Sequence, residues 1–317
     1  MFYMQTTKDF KWKKGMTVAE LVNKYGNLGF QSVELEKASK TIVKMKKSGA
    51  RIYLTFTSNM CTSGLNGFFA QLIKLGIVDA IVTTAGSIEE DIMKSIGEKF
   101  IIGDFHSDDL ALYEKGINRV GNLFIRNESY ARFEDYIGPV LAKLYKKKSK
   151  WTVSELLREI GLLIDNEDSI LSQAANNKIP IFCPGITDGS IGFHLFMFQQ
   201  KNKDFVVDIV KDFSNILFSM THDEQKGLIA LGGSISKHHA ILAALLNGGL
   251  DYAVYMTTDH QSFGSMGGAT TNEAKSWGKI KDDSDAATVI GDATITFPLA
   301  MTAALEQLSK EGLLKYE

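Results

Sequence analysis

The sequence predicts an α/β protein built on a mostly parallel sheet with crossover helices. Short β-rich runs recur along the chain: RIYLTFT (51–57), AIVTT (80–84), IPIFC (179–183), GLIAL (227–231) and YAVYMTT (252–258). Each is followed by a small polar turn and then by a stretch of helical pattern. That alternation is what parallel strands joined by helices require. No Pro/Gly/Ser-rich linker divides the chain, no repeat is visible, and only four prolines occur. We therefore read 1–317 as a single domain, with residues 1–48 as N-terminal helical decoration. A chain of 317 residues is long for one domain, but a large α/β unit can reach it and bury a substantial core.

The helices announce themselves locally. TVAE (17–20) and TVSE (152–155) are capping boxes, in which a threonine and a glutamate three residues on satisfy each other's backbone N–H groups. Residues 33–47, VELEKASKTIVKMKK, carry an apolar stripe at helical spacing. KKKSK (146–150) reads as a solvated helix end or loop, with partner docking as the alternative.

Composition narrows the function class. A net charge of −2 argues against broad nucleic-acid binding, which needs a basic face. Cys61 and Cys183 form no CxxC and no disulfide framework, so a reducing cytoplasm is the simplest setting. The opening MFYMQTTKDFKWKK lacks the apolar core of a signal peptide, and no apolar run has the length of a membrane span.

In open parallel sheets, ligands bind at the carboxyl ends of the strands. The turns there contain Ser58, Asn59, Thr62, Glu89, Glu90, Asp188, Ser234, His238 and Asp259. Small residues let the backbone approach a ligand, and helix N-termini hold phosphates, so a dinucleotide or similar phosphorylated cofactor is expected. Neither GxGxxG nor GxxxxGK[ST] occurs, and the same residues also suit plain turns.

Three features carry candidate chemistry. His238 and His239 open the helix after GGS; one is a candidate general base, the other reading being a structural helix histidine. No histidine has a neighbour at zinc-ligand spacing, so no metal site is expected. Glu89, Glu90 and Asp91 read as an acidic helix start, explained by the helix dipole or by a polycationic ligand. In NEAKSWGKI (272–280), Lys279 is either a surface charge or a nucleophile. Trp277 next to it is either core filling or an apolar wall for an alkyl-ammonium chain, and Glu273 is a partner for an amine. A lysine losing solvation at such a wall becomes a neutral, imine-forming amine.

Matching stretches run in order from GFQSVELEKA (29–38) to GDATITFPL (291–299): TSNMCTSG, VTTAGSIEED, GDF (103–105), NRVGNLFIRNESY (118–130), IPIFCPGITDGSIG, LGGSISKHH, NGGLDYAVYMTT and NEAKSWGKI. Over most of its length the chain thus resembles deoxyhypusine synthase. The resemblance implies a doubly wound, Rossmann-like NAD-binding fold with helices on both faces, and a homotetramer, a dimer of dimers with sites at the tight dimer interface. It implies transfer of the aminobutyl group of spermidine, through an active-site lysine, to one lysine of the hypusine-containing translation factor. By the same resemblance Lys279 is the imine-forming residue, His238 the base, and Trp277 and Glu273 the polyamine holders, joined by Glu89, Gly264 and Ser265. Ser58, Asn59, Thr62, Thr84, Ala85, Gly86, Asp188, Gly233, Thr258, Asp259, Asp292 and Ala293 form the cofactor set. Glu90 lies beside the ribose or the amine.

Two positions depart from the family pattern. Phe193 follows TDGSIG where the eukaryotic enzymes have aspartate, and Met266 follows Gly264–Ser265 where they have an acidic residue. Neither side chain neutralises an ammonium. Asp259, in place of a small apolar residue, is a candidate displaced carboxylate. The alternatives are an aminobutyl transferase with another amine donor or a small-amine acceptor, as in homospermidine synthesis, and an NAD-binding scaffold.

Overall fold

The computed structural model describes residues 6–315; the first five residues of the N-terminal decoration lie outside that range. Its strands, in chain order, are β1 (Arg51–Thr55), β2 (Ala80–Val82), β3 (Ile101–Ile102), β4 (Ile117–Val120), β5 (Leu123–Arg126), β6 (Lys150–Thr152), β7 (Ile181–Phe182), β8 (Val206–Asp208), β9 (Lys226–Leu231), β10 (Leu250–Thr257) and β11 (Ile280–Ile290). All five β-rich runs contain a strand. The chain divides into two compact units, one of residues 1–56, 75–79 and 216–317, the other of 57–74 and 80–215.

The first unit holds four parallel strands in the order β11-β10-β9-β1. Every residue of β9 is buried, so both of its faces are covered. The helices Gln31–Lys47, Ser234–Leu245 and Ala293–Lys310 pack on these strands. The capping box at Thr17–Glu20 is fully formed, and the stripe of 33–47 puts Leu35, Ile42 and Met45 inside. β11 escapes the sequence pattern because of where it bulges. Leu250 pairs with Ile280 and Tyr252 already with Asp285, so Lys281–Ser284 loop out of the ladder. A charged bulge on an edge strand blocks edge-to-edge pairing, and it reads as loop in the sequence.

In the second unit β2 pairs with β7 and β6 with β8, both parallel. An antiparallel sheet β3-β5-β4 is an addition the sequence pattern missed. Its hairpin turns on Gly121–Asn122, with Gly121 at a positive φ of 61°. A two-residue hairpin turn of this kind asks for that backbone conformation. The second capping box, Thr152–Glu155, opens the helix Val153–Gly161. Lys147 and Lys148, at the end of the helix Asn127–Tyr145, pair with Glu159 and Glu155 at the surface.

Candidate active site

In the first unit, three neighbouring strands end in turns that open helices. Gly232 donates its N–H to Met256 O (2.8 Å), and Gly291 donates to Thr257 O (2.9 Å), which ties the ends of β9, β10 and β11 together. Gly233 precedes the helix Ser234–Leu245, and a Cβ there would lie 2.3 Å from Gly267 Cα. Only glycine permits that approach between two backbones. Ser234 sits at φ 60°, a conformation that a non-glycine residue holds only when its surroundings impose it. Asp292 caps the helix Ala293–Lys310 by accepting from Thr294 N (2.8 Å). Thr258 is exposed, whereas Ala293 is buried. Asp259 accepts from His260 N (3.0 Å) and from the Ser265 hydroxyl. It lines a cavity of about 160 Å³ together with Thr257, His260, Thr270 and Thr288. Gly264 and Ser265 lie in the same loop, and Ser265 Oγ accepts from Gly268 N.

Lys279 owes its place to a turn. The short helix Thr271–Ser276 ends with Gly278 N donating to Lys275 O (2.9 Å) and Lys279 N to Ala274 O (3.1 Å). These two bonds define a Schellman cap, and its C′ residue must be left-handed. Gly278 supplies that conformation, with φ 68°. Lys279 O then accepts from Leu250 N (3.0 Å) as the chain enters β11. The side chain of Lys279 is only 8% exposed, so this lysine is no solvated surface charge. Its Nζ stands 5.1 Å from the ring centre of Trp277, a cation–π distance. Trp277 is 64% exposed, which excludes the core-filling reading: one face covers the lysine and the rest meets solvent. Glu273 is exposed and donates its N–H to the capping Thr270 hydroxyl (3.2 Å). His238 is exposed in the first turns of its helix. Partial burial holds its imidazole below the ordinary 6.5, and the charge of Lys279 adds to the effect.

In the second unit, Thr84 opens the helix Ala85–Ser95 at the end of β2. Its hydroxyl accepts from Ser58 N (3.1 Å), which joins the two loops expected to hold a cofactor. A Cβ on Gly86 would lie 2.7 Å from Ser58 Cβ, so this contact also depends on a glycine. Thr62 donates to the Glu90 carboxylate, with oxygens at 2.7 and 2.8 Å. Burial pushes Glu90 up to about 7 against the opposing pull of Thr62 and Lys94. Glu89 accepts from Ile191 N (2.9 Å) at the start of the helix Ser190–Lys201, and burial raises its pKa too. Asn59 and Asp188 are exposed.

The acidic run is not a helix start. The helix begins at Ala85, so Glu89, Glu90 and Asp91 fall in its second turn, all buried, and the dipole account does not apply. Asp91 instead binds internally, accepting from Asn66 Nδ2, Ser169 Oγ, Ile170 N and Leu171 N. Sequence reasoning also passed over Tyr130, whose phenol is raised to about 12 by burial and by the nearby Glu89 and Glu90. Lys237 was missed as well. The signal for it was present, since Lys237 lies four and seven residues before the buried Ile241 and Ala244, on the inward stripe of its helix.

The fold and site define a class: an α/β protein with polar loops at the ends of parallel strands and a buried lysine beside an exposed indole. A family model described as deoxyhypusine synthase matches residues 20–304. The chain belongs to the deoxyhypusine synthase family. A Schizosaccharomyces pombe protein named probable deoxyhypusine synthase is 40% identical over 306 residues, covering 91% of this chain and 87% of that protein. A Halobacterium salinarum protein of the same name is 39% identical over 291 residues, covering 90% and 88%. A crystal structure from Entamoeba histolytica bearing the deoxyhypusine synthase name is 29% identical with a TM-score of 0.68, covering 94% of this chain and 96% of that one.

Proposed function

We propose that this chain transfers the 4-aminobutyl group of spermidine to a lysine of the hypusine-containing translation factor, with an imine on Lys279 as the covalent stage. The observation that carries the reading is the buried Lys279 ammonium, held by a Schellman cap under the ring of Trp277. An amine in such a place is held at a fixed point beside an apolar wall, as a positioned nucleophile requires. Its Nζ adds to the imine carbon of the oxidised donor, and the bond from that carbon to diaminopropane breaks. The acceptor lysine later adds to the same carbon and displaces Lys279. His238, kept neutral by its surroundings, takes the proton that leaves the donor amine. Trp277 and Glu273 hold the polyamine chain, with Glu89, Gly264 and Ser265 in the same role.

The chain's residues fit a dinucleotide. The helices opening at Ala85, Ser234 and Ala293 direct N–H groups to the strand ends, as phosphates require. Ser58, Asn59, Thr62, Thr84, Ala85, Gly86, Glu90, Asp188, Gly233, Thr258, Asp259, Asp292 and Ala293 are the residues we assign to NAD. When bound, NAD supplies hydride uptake and return, so the overall reaction involves no net redox change. We place the enzyme in the cytoplasm as a homotetramer in which 1–317 acts as one domain; the family resemblance and cysteine usage support this. No helix of the described residues is long and apolar enough to cross a membrane.

One observation favours a second reading. Phe193 is exposed on its helix and Met266 is half-buried in the loop after β10, and neither offers a charge to an amine. A different amine donor, or a small-amine acceptor, suits these positions.

Covalent capture tests both. The protein is incubated with NAD and one amine at a time (spermidine, putrescine or agmatine), reduced with borohydride and peptide-mapped. An aminobutyl adduct on Lys279 from spermidine, with diaminopropane released, supports the first reading, and Lys279→Arg abolishes the adduct. An adduct from another amine alone moves the assignment to the second.

A further inference from the structure

Lys237 is buried to 1% exposure, yet among the described residues no carboxylate bonds it. An ammonium has three N–H donors and cannot be left unsolvated. Here two of its partners are backbone carbonyls, Met266 O at 3.0 Å and Ala269 O at 2.9 Å. The Nζ also stands 3.9 Å from the ring centre of Tyr255, whose π-face solvates the remaining side. Burial lowers its pKa to about 8, opposed by the charges of Glu273 and Asp259 and assisted by that of Lys279.

Both carbonyls belong to one segment, residues 259–270, whose only regular element is the single turn Gln261–Phe263. That segment contains Asp259, Gly264 and Ser265. It is closed on itself by the Ser265 hydroxyl, which donates to Asp259 and accepts from Gly268 N. It is pressed to the helix Ser234–Leu245 where Gly267 meets Gly233. The helix holds Lys237 and, one residue on, His238.

We propose that Lys237 is a positioning residue whose ammonium fixes the 259–270 loop against the helix carrying His238, keeping Asp259, Gly264 and Ser265 in register with the base. The kinetic part of this inference rests on the aminobutyl-transfer reading; the structural part does not. A lysine does this where a neutral residue cannot, because one charged group can serve two carbonyls and a ring at once.

Hydrogen exchange on the full chain tests the clamp without substrate. In Lys237→Met, amides of 259–270 exchange at least tenfold faster than in the wild type, while β9 and β10 keep their protection. Lys237→Arg, which retains charge and donors, restores much of the slow exchange. If the Met variant does not fold, Lys237→Gln takes its place. Unchanged exchange in the loop of the neutral variant overturns the proposal, as does loss of protection spread evenly over the first unit. With spermidine and NAD, the neutral variant raises the KM for the amine about tenfold and lowers kcat less than threefold. An equal fall of kcat with unchanged KM overturns the positioning role. Absence of any adduct on Lys279 in the wild type instead sinks the aminobutyl-transfer reading and leaves the exchange result standing.

Discussion

At the scale of single residues, environment sets how two groups titrate. His238 is held below the ordinary imidazole value chiefly by burial. A base works in its neutral form, so lowering its pKa extends activity to more acid pH. We predict that the acid limb of kcat/KM falls below pH 6.5, and that an NMR titration of His238 in the free protein gives the same midpoint. An unshifted midpoint would contradict this. Glu90 moves the other way, to about 7 in the folded chain against an ordinary 4.5. Both states hold the proton below about pH 4.5, and the unfolded chain loses it first as pH rises. The wild type therefore loses stability between about pH 4.5 and 7. Glu90→Gln removes this penalty while leaving an oxygen for Thr62. The variant should gain on the order of 2–3 kcal/mol relative to the wild type on going from pH 4.5 to 7.5, read by denaturant unfolding at both values.

At the scale of elements, the Schellman cap at Trp277–Gly278–Lys279 is the device that delivers the lysine. A Cβ on Gly278 meets only Leu245 Cδ1, at 3.4 Å, so space is not the obstacle. The backbone is: at φ 68°, alanine costs about 1–2 kcal/mol. Gly278→Ala should lower unfolding stability by that amount and cut the yield of the Lys279 adduct by more than the loss of folded protein. Equal losses would show that the cap only stabilises. Asp91 does a comparable job elsewhere, caging the start of the helix Ile170–Asn176 with two backbone N–H acceptances. Asp91→Ala strands those donors in a buried place, and a loss of about 3 kcal/mol or more is expected in thermal or denaturant unfolding.

At the scale of the whole molecule, large apolar side chains stay uncovered in the second unit, among them Ile102, Leu110 and Tyr113. Where such side chains form one contiguous surface they mark an interface between chains. Light scattering should return four chains of 35.0 kDa, with no monomer at micromolar concentration; a monomer would overturn the proposed homotetramer. Much of the rest was legible beforehand, wherever the signal is local. The capping boxes, the β-rich runs and the turns after them depend on neighbours a few residues apart, and all appear where the sequence puts them. Trp277, Gly278 and Lys279 were legible as a motif, but not as a Schellman cap with its lysine inside and its tryptophan outside. The strand β11 hid behind its charged bulge, the burial of Glu89, Glu90 and Asp91 behind their run of charge, and Lys237 behind the expectation that lysines are solvated. So the sequence by itself determined the α/β class, the five β-rich runs with the turns after them, the family and the candidate residues. Only the tertiary structure decided which charged groups are buried and what solvates them, because burial depends on segments packed from far along the chain and no local pattern encodes that neighbourhood.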